Sequence, residues 1–436
     1  MQNKKYAISF VGTGNYQETC YTYEGDEVCT ALFPVAVRRF FPDYEPLILL
    51  TEEARQKHGE ALVEAGFSEE QLVHIPSGKK EEELWEIFDC ISQRIPAGSE
   101  LVLDVTHGFR TQPIILLAVV EFLKSARDIT ISHIVYGAYE ARDAQGKAPV
   151  WDLRTFLDLM DWAAATRRFL ETGDASLLQR SLRIYHGRTH KEERADDARA
   201  RHLRILGDRL GEFSEALRLN RVYEFNLQKK KGIIDVTTTV EKALSVIKKI
   251  HESQEFVHVF EARPLILLLG EIEKMLRKLN YPSEKKGLEY LISREGLCMQ
   301  VAVIEQLLCF RLYQQAITVA RECMVNYYMV YFFSYEELDF NSRKDAEENL
   351  NHKAYPLQKK EEYKDDAKYK EYVSTLSAKE KHFYSLWNNI SRVRNDINHA
   401  GMRSNPESVE DLQKHVREYA SELVDLVRGE VGCHAD

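Results

Sequence analysis

The sequence predicts an N-terminal α/β domain with a mainly parallel sheet, followed by an all-helical domain. Residues 1 to about 150 alternate short apolar runs with amphipathic stretches, a pattern typical of a doubly wound parallel sheet. From about Thr155 onward strand patterns nearly vanish. Apolar residues then recur at helical spacing, as in Ile304, Leu307, Leu308 and Leu312.

Strands and helices alternate in the first domain, which is typical of strand-helix-strand units. Ligands of such sheets bind beyond the carboxyl ends of the strands, so the residues that follow each strand are the first candidates for a site. We predict strands at Tyr6–Val11, Pro46–Leu50, Leu72–Ile75, Glu100–Val105 and Ile129–Tyr136, and helices at Glu81–Ile95 and Pro113–Ala126.

Some segments in the second half of the chain allow more than one interpretation of their structure or function. The β-branched run Ile233–Val240 predicts either a strand or the start of the next helix. Arg180–Arg204 carries eight Arg and Lys against four Asp and Glu, which is typical of a solvated helix face or of a nucleic-acid surface. Glu336–Lys381 mixes both signs of charge and favours a solvated face.

Composition excludes several classes of protein. The net charge of -10 argues against a protein that coats nucleic acid non-specifically, because such binding needs a basic surface. The longest apolar run, Pro113–Val120, is far shorter than the roughly 20 residues of a membrane span. No leader pattern follows the N-terminal lysines, so we expect a cytoplasmic protein without a membrane partner.

The seven cysteines form no C-x-x-C pair and are odd in number. This pattern disfavours a zinc site and a disulfide framework, so we expect free thiols and no bound metal.

One C-terminal helix carries the residues that suggest catalysis. Ser377 and Glu380 form a capping box, and the apolar residues that follow at helical spacing predict a helix from about 378 to 400. Its last turns hold Arg394, Asn395 and His399. The helix dipole favours a protonated histidine at this end, which suits a group that exchanges protons near neutral pH.

These residue types fit metal-independent cleavage of RNA. Attack of the 2′-hydroxyl on the adjacent phosphate needs a proton-transfer group and a cation for the developing charge, the roles of His399 and Arg394. Positions five apart lie about 140° around a helix, whereas Asn395 and His399 share a face. A complete site therefore needs two copies of the helix. Alone, the R-x4-H spacing is weak evidence, because it most often reflects a surface ion-pairing arginine and an unrelated histidine.

A second set of residues, candidates for ligand binding, follows the strands of the first domain. Backbone N–H groups at Gly12–Asn15 and at the helix start after Phe109 are suited to phosphates, and Pro113 fits that helix start. His107 and Arg110 are suited to contact phosphate or to stack on adenine. The alternative is that Gly12–Gly14 is only a tight turn and that His107 is a satisfied loop histidine.

Together, Leu103–Arg110 (LDVTHGFR) and Arg394–Gly401 (RNDINHAG) resemble the CARF and HEPN ribonucleases of type III CRISPR systems, in particular the Csx branch. Leu312–Glu322 resembles the HEPN helix that packs beside the catalytic one. The likeness covers 1–160 and 300–402. It implies a Rossmann-like CARF domain at 1–153, a helical connecting region at 154–300 and a HEPN domain at 301–436, whose core helices include parts of 154–300.

The resemblance also implies a function. The CARF domain of a homodimer or higher homo-oligomer binds cyclic oligoadenylate, with cyclic tetra-adenylate favoured over hexa-adenylate, and no other cofactor. The HEPN dimer then cleaves single-stranded RNA with Arg394, Asn395 and His399. The expected ligand-binding residues, with Thr51 as a further strand-end residue, are Gly12, Thr13, Gly14, Asn15, Thr51, Asp104, Thr106, His107, Gly108, Phe109, Arg110, Thr111 and Gln112.

Two other functions stay open. In the first, the protein is a ligand-binding transcriptional regulator whose segment Arg180–Arg204 contacts DNA while the C-terminal helices only dimerise. In the second, the N-terminal domain also degrades its cyclic ligand, for which Thr13, Thr106 and His107 are available.

Overall fold

The computed structural model describes residues 4–108, 111–191, 198–223, 235–252, 263–358, 366–402 and 404–433. The chain divides into two compact units, residues 1–158 and 159–436. The first is α/β and the second is helical, as the sequence predicts. No helix among these residues is long and apolar enough to cross a membrane.

The first unit is built on an eight-stranded sheet with the order β3-β2-β8-β7-β6-β1-β4-β5. Strands β1, β4, β5, β6 and β7 run parallel, whereas β3 and β8 each pair antiparallel with a neighbour. The strands are β1 (Lys5–Val11), β2 (Thr19–Tyr23), β3 (Asp26–Thr30), β4 (Glu45–Leu50), β5 (Leu72–His74), β6 (Glu100–His107), β7 (Thr130–Gly137) and β8 (Lys147–Asp152).

All five predicted strands are confirmed, and three strands at one end of the sheet were not predicted. The predicted strands alternate little because both of their faces are buried under helices. The missed hairpin β2–β3 and strand β8 are half-exposed and polar, so no apolar run marks them. The helices of this unit are α1 (Phe33–Phe40), α2 (Glu52–Glu64), α3 (Glu81–Arg94) and α4 (Gln112–Arg127).

The second unit contains helices around one buried cluster that runs from Trp162 to Val427. Helices on both sides of residue 300 share this cluster, and the subdivision at 300 stays a prediction. The described helices are α5 (Arg154–Thr172), which begins in the first unit, α6 (Ser176–Lys191), α7 (Ala198–Arg218), α8 (Val236–Glu252), α9 (Arg263–Arg277), α10 (Gly287–Leu291), α11 (Arg294–Cys309), α12 (Tyr313–Tyr331), α13 (Phe340–Gln358), α14 (Ala367–Thr375), α15 (Ala378–Asn398) and α16 (Val409–Val431).

One of the open alternatives is resolved by these helices, whereas the nucleic-acid surface at Arg180–Arg204 stays a prediction. Of the run 233–240, the described residues open α8, where Asp235 accepts a hydrogen bond from Thr238 N (2.8 Å), and residues 233 and 234 lie outside the described part. In Arg180–Arg204, Arg183 and Arg204 both pair with Asp208, at 2.7 and 3.4 Å. Residues 192–197 of that segment lie outside the description.

The expectation that most cysteines are free thiols is wrong, because four of the seven form two disulfides. Cys20 and Cys29 are joined across the β2–β3 hairpin, where they are direct cross-strand partners. Cys298 of α11 is joined to Cys433, which follows α16. Residue spacing reveals neither pair, because the first depends on an unpredicted hairpin and the second on tertiary packing. Cys90, Cys309 and Cys323 are free.

A glycine at the start of α11 gives a test of this packing. A Cβ atom on Gly296 would lie 1.8 Å from the carbonyl oxygen of Tyr290, so the backbone itself would have to move. We expect Gly296→Ala to lower the free energy of unfolding by about 3 kcal/mol or more in urea titrations. Gly270→Ala in α9 is the control, because nothing lies near that position. It is expected to stabilise by roughly 0.5–1 kcal/mol, and similar effects of the two substitutions would contradict the packing.

Candidate functional site

The carboxyl edge of the sheet has a crevice between β1 and β6. From β1 the chain adds β4 and β5 on one side, whereas β6 and β7 lie on the other. The direction in which strands are added thus reverses between β1 and β6. At such a reversal a space opens in which ligands of parallel sheets bind. Gly12 and His107 face each other here, and Gly12 N donates to His107 O (3.2 Å). The two loops singled out in the sequence are therefore neighbours.

A cavity of about 240 Å³ lies at this edge. Of the predicted residues, Asn15, Thr106 and His107 line it. Its other lining residues are Tyr16, Gln17, Tyr21, Tyr136, Gly137, Tyr139 and Glu140. Aromatic rings with a few polar groups are the usual lining of a pocket for a planar ligand such as a nucleobase.

His107 is held as a neutral ring within this wall. Its Nε2 accepts a hydrogen bond from Phe33 N (3.2 Å), and its ring stacks on Tyr16 at 3.8 Å between centroids. Burial lowers the pKa of His107 to about 4. At neutral pH the ring therefore brings no positive charge to a phosphate, and stacking is the contact that this geometry favours.

The loop after β1 is tied down by its own side chains. Gly12 N also donates to Tyr16 Oη (3.0 Å), so this N–H is already used and does not fit the phosphate cradle we expected. Lys57 donates to Thr13 O (2.8 Å) and to the side chain of Asn15. His58 is hydrogen-bonded to Gly14 O (3.0 Å). One cation at this loop, Lys57, thus comes from α2.

Other predicted residues are placed less favourably for a ligand. Thr51 is buried and caps α2 by accepting from Ala54 N (3.2 Å). Gln112 is buried in the first turn of α4, and Thr111, the residue before that helix, is exposed. A Cβ atom on Gly108 would lie in van der Waals range of Phe10 and of the first turn of α4. Phe109 and Arg110 lie outside the described residues.

Asp104 is fully buried in β6 and accepts a hydrogen bond from Thr106 N (2.8 Å). Burial raises its pKa to about 6, against the hydrogen bonds from Thr106. It lies beneath the cavity wall, and Thr106 Oγ1 in turn accepts from Gly137 N (2.9 Å). The role of Asp104 that this geometry supports is to hold the loop after β6.

Residues after β7 and on β2 belong to the cavity and were not predicted as site residues. Tyr139 Oη donates to Gln17 Oε1 (2.6 Å), which links the loops after β7 and β1. The guanidinium of Arg142 lies 3.7 Å from the centre of the Tyr139 ring. A Cβ atom on Gly137 would lie 2.6 Å from the Phe33 ring, so a glycine is needed there. Tyr139 and Glu140 follow a predicted strand, which was the available signal, whereas Tyr21 depends on the missed hairpin.

The second candidate site lies at the end of α15. Ser377 and Glu380 form the predicted capping box, and Phe383, Leu386, Ile390 and Val393 face the core. The predicted neighbour α12 packs on this face, with Tyr327 and Phe383 ring centroids 5.5 Å apart. The helix ends at Asn398, two residues before the predicted end. The buried stripe therefore turns Asn395 and Asn398 of the last turns outward, whereas Asp396 is buried.

The three candidate catalytic residues lie together at this end. Arg394 Nη1 donates to Asn395 Oδ1 (3.2 Å), and Arg394 Nε is buried without a hydrogen-bond partner among the described residues. His399 is the C-cap residue, with its N–H on Asn395 O (3.1 Å) and its side chain exposed. One chain thus offers an exposed histidine and a half-buried arginine.

An ionic network holds this end of α15. Glu407, in the segment before α16, pairs with Arg392 and with His415 Nδ1 (2.7 Å). The backbone N–H of Glu407 also donates to the buried Asp396 (3.4 Å). These contacts position the last two turns of α15 from both sides.

Asp104 and His107, two buried ionisable groups at the sheet edge, make the free energy of unfolding depend on pH in opposite directions. The folded pKa of Asp104, about 6, exceeds the ordinary value of about 3.9, so its contribution to stability falls as the pH rises between them. The folded pKa of His107, about 4, lies below the ordinary value of about 6.5, so its contribution rises over the same range.

Asp104→Asn removes the contribution to stability that falls as the pH rises and leaves the contribution of His107 in place. We expect its unfolding free energy to rise more steeply than that of the wild type between about pH 4 and about pH 6 in urea titrations. Asp43→Asn, which removes an exposed carboxylate of the same unit, is the matched control. Curves for Asp104→Asn and wild type that stay parallel would contradict the burial of this carboxylate.

Comparison with known proteins agrees with this geometry. Residues 6–140 match the family described as CRISPR system endoribonuclease Csx1, CARF domain. A CRISPR-associated protein of Methanocaldococcus jannaschii is 29% identical over 111 residues, which cover 25% of this chain and only 18% of that protein. The family match lies in the unit that contains the β1–β6 crevice. The chain is thus a CARF-containing protein related to CRISPR-associated proteins, with the CARF domain in its N-terminal unit.

Proposed function

We propose that the protein is a metal-independent endoribonuclease that cleaves single-stranded RNA when a cyclic oligoadenylate binds its CARF domain, as part of type III CRISPR antiviral defence in the cytoplasm. The observation that carries the proposal is the joint occurrence of two sites in one chain. An aromatic cavity lies at the crevice of a CARF domain, and Arg394, Asn395 and His399 lie at the exposed end of a helix in the helical unit.

The ligand side rests on the chemistry of the cavity. CARF domains bind cyclic oligoadenylates, whose adenine rings are planar and whose phosphates are anionic. Tyr139 and the stacked pair of Tyr16 and His107 offer ring faces, while Lys57 and Arg142 are cations at the neighbouring loops. We propose cyclic tetra-adenylate as the activator in preference to cyclic hexa-adenylate.

The proposed catalysis is supported by one group that can transfer a proton, His399, and one cation, Arg394. His399 is exposed at the helix end, where it can reach a 2′-hydroxyl or a leaving 5′-oxygen. The fork-shaped guanidinium of Arg394 matches two phosphate oxygens and stabilises the charge that develops during attack. Asn395 already accepts from Arg394 and orients it. Ligand binding acts by favouring the dimer arrangement in which two such helix ends face one RNA.

An apolar stripe on α4 supports a homodimer. Ile114, Ala118 and Phe122 lie four residues apart and are exposed, with Ile114 at 69% and Phe122 at 55%. Phe122 also contacts Phe88 of α3 at 5.5 Å between ring centroids. Because α4 follows the loop after β6, two chains paired along this stripe bring both ligand loops to one axis.

Activity is tested with a quenched fluorescent RNA in EDTA. We expect cleavage by the wild type only after addition of cyclic tetra-adenylate, with a weaker response to cyclic hexa-adenylate. His399→Ala and Arg394→Ala are expected to lower the rate at least about 100-fold, as for the loss of a proton-transfer group.

His382→Ala is the matched control, because this exposed histidine of the same helix contacts Glu422 (3.3 Å) at the surface, and such surface contacts contribute little to stability. Cleavage that survives His399→Ala would overturn the catalytic assignment. Calorimetric binding of cyclic tetra-adenylate without RNA cleavage by the wild type would favour a ligand-binding regulator instead.

The dimer is tested by adding charge to the α4 stripe. Phe122→Glu is expected to halve the mass measured by light scattering, because a carboxylate in an apolar contact must be desolvated. Val63→Glu is the control, since Val63 is also an exposed apolar residue, at 45%, but lies on α2. An unchanged mass for Phe122→Glu would exclude this face as the dimer contact.

A further inference from the structure

The helical unit contains a cavity beside the proposed catalytic residues, one of which, Asn395, lines it. It has a volume of about 260 Å³ and lies between α13 and α15. Asn351, Tyr355 and Gln358 line it from α13, at positions i, i+4 and i+7 of one helix face. Asn388, Ser391 and Asn395 line it from α15 at the matching spacing. We call this cavity the amide groove, because four of its side chains are carboxamides.

The carboxamides of the groove are only partly used within the protein. Asn351 Oδ1 accepts from Trp387 Nε1 (3.1 Å), and Asn388 Nδ2 donates to Ala354 O (2.8 Å). Asn395 Oδ1 accepts from Arg394 Nη1 (3.2 Å). Each contact orients one half of a carboxamide and leaves the other half for a ligand. The groove therefore presents donors at two positions and an acceptor at a third.

A buried hydroxyl on the wall also points to a ligand. Ser391 Oγ is inaccessible to solvent and has no hydrogen-bond partner among the described residues. A buried polar atom of this kind is costly unless a group outside the chain satisfies it. At the rim, Tyr355 is half-exposed, so one of its ring faces is accessible from solvent.

The charge of the groove disfavours a phosphate. The charged side chain that lines it is Arg392, and Arg392 is paired with Glu407. What remains is a nearly neutral surface of amides, a hydroxyl and an aromatic ring. Single-stranded RNA is recognised by such groups, since its bases stack on aromatic rings and their edges bond to side chains.

We propose that the amide groove binds one nucleobase of the RNA substrate, next to the phosphate that is cleaved. The inference rests on the proposed ribonuclease function and adds a base-recognition subsite to it. The volume lies below the roughly 300–1,000 Å³ of pockets for larger ligands and fits one base. The groove adjoins the end of α15 that carries the catalytic residues, because Asn395 lines the groove and is hydrogen-bonded to Arg394.

The test uses four RNA reporters that differ in the single base beside the cleavage position. The full-length protein, activated by cyclic tetra-adenylate, is expected to prefer one base, and Gln358→Ala is expected to reduce that preference. Tyr355→Ala is expected to lower kcat/KM about tenfold for all four reporters, chiefly through KM, because a stacking surface is lost. Tyr355→Phe keeps the ring face and is expected to restore the wild-type KM.

His352→Ala is the matched control, since His352 is exposed on the same helix and does not line the groove. Tyr355 and Gln358 are exposed, so these substitutions leave the core intact. Unchanged base preference and KM in both variants, with cleavage retained, would overturn the inference and leave the proposed function standing. A fall to monomer mass in light scattering would overturn it by showing a subunit contact. A wild type that cleaves no RNA would overturn both.

Discussion

The parallel pairing of β1 with β6 is the constraint on which the N-terminal unit depends. Because β4 lies on the far side of β1 and β7 on the far side of β6, the strand order reverses between β1 and β6 and opens a crevice there. The hydrogen bond from Gly12 N to His107 O closes the bottom of this crevice. The walls from the loops after β1, β6 and β7 follow from that register, since these loops begin at one edge of the sheet, whereas Tyr21 is contributed by β2.

The helical unit depends on a different constraint, the burial of one face of α15. Its apolar stripe packs in the core and thereby turns Asn395 and His399 toward solvent. The network around Glu407 then holds the helix end without covering it. A rigid helix end with exposed polar groups is suited to a composite site made by two chains, which agrees with the angular separation of Arg394 and His399.

Burial also decides what individual groups in the N-terminal unit can do. A loop histidine such as His107 is a natural candidate to bind phosphate, yet its enclosed position keeps it neutral. Asp104 is likewise a support for the loop after β6, because both its burial and its bond to Thr106 N direct it inward. Charge for the anionic parts of a ligand must therefore come from side chains at the rim, such as Lys57 and Arg142.

The sequence alone determined the α/β and helical organisation, the five core strands, the capping box of α15 and the loops that meet at the crevice. These features are local, because apolar periodicity and cap residues act within one element. Only the tertiary structure decided which cysteines pair, that Tyr21 joins the cavity, and that the amide groove forms. Each of these depends on contacts between segments far apart in the chain, and no periodicity within a segment encodes such contacts.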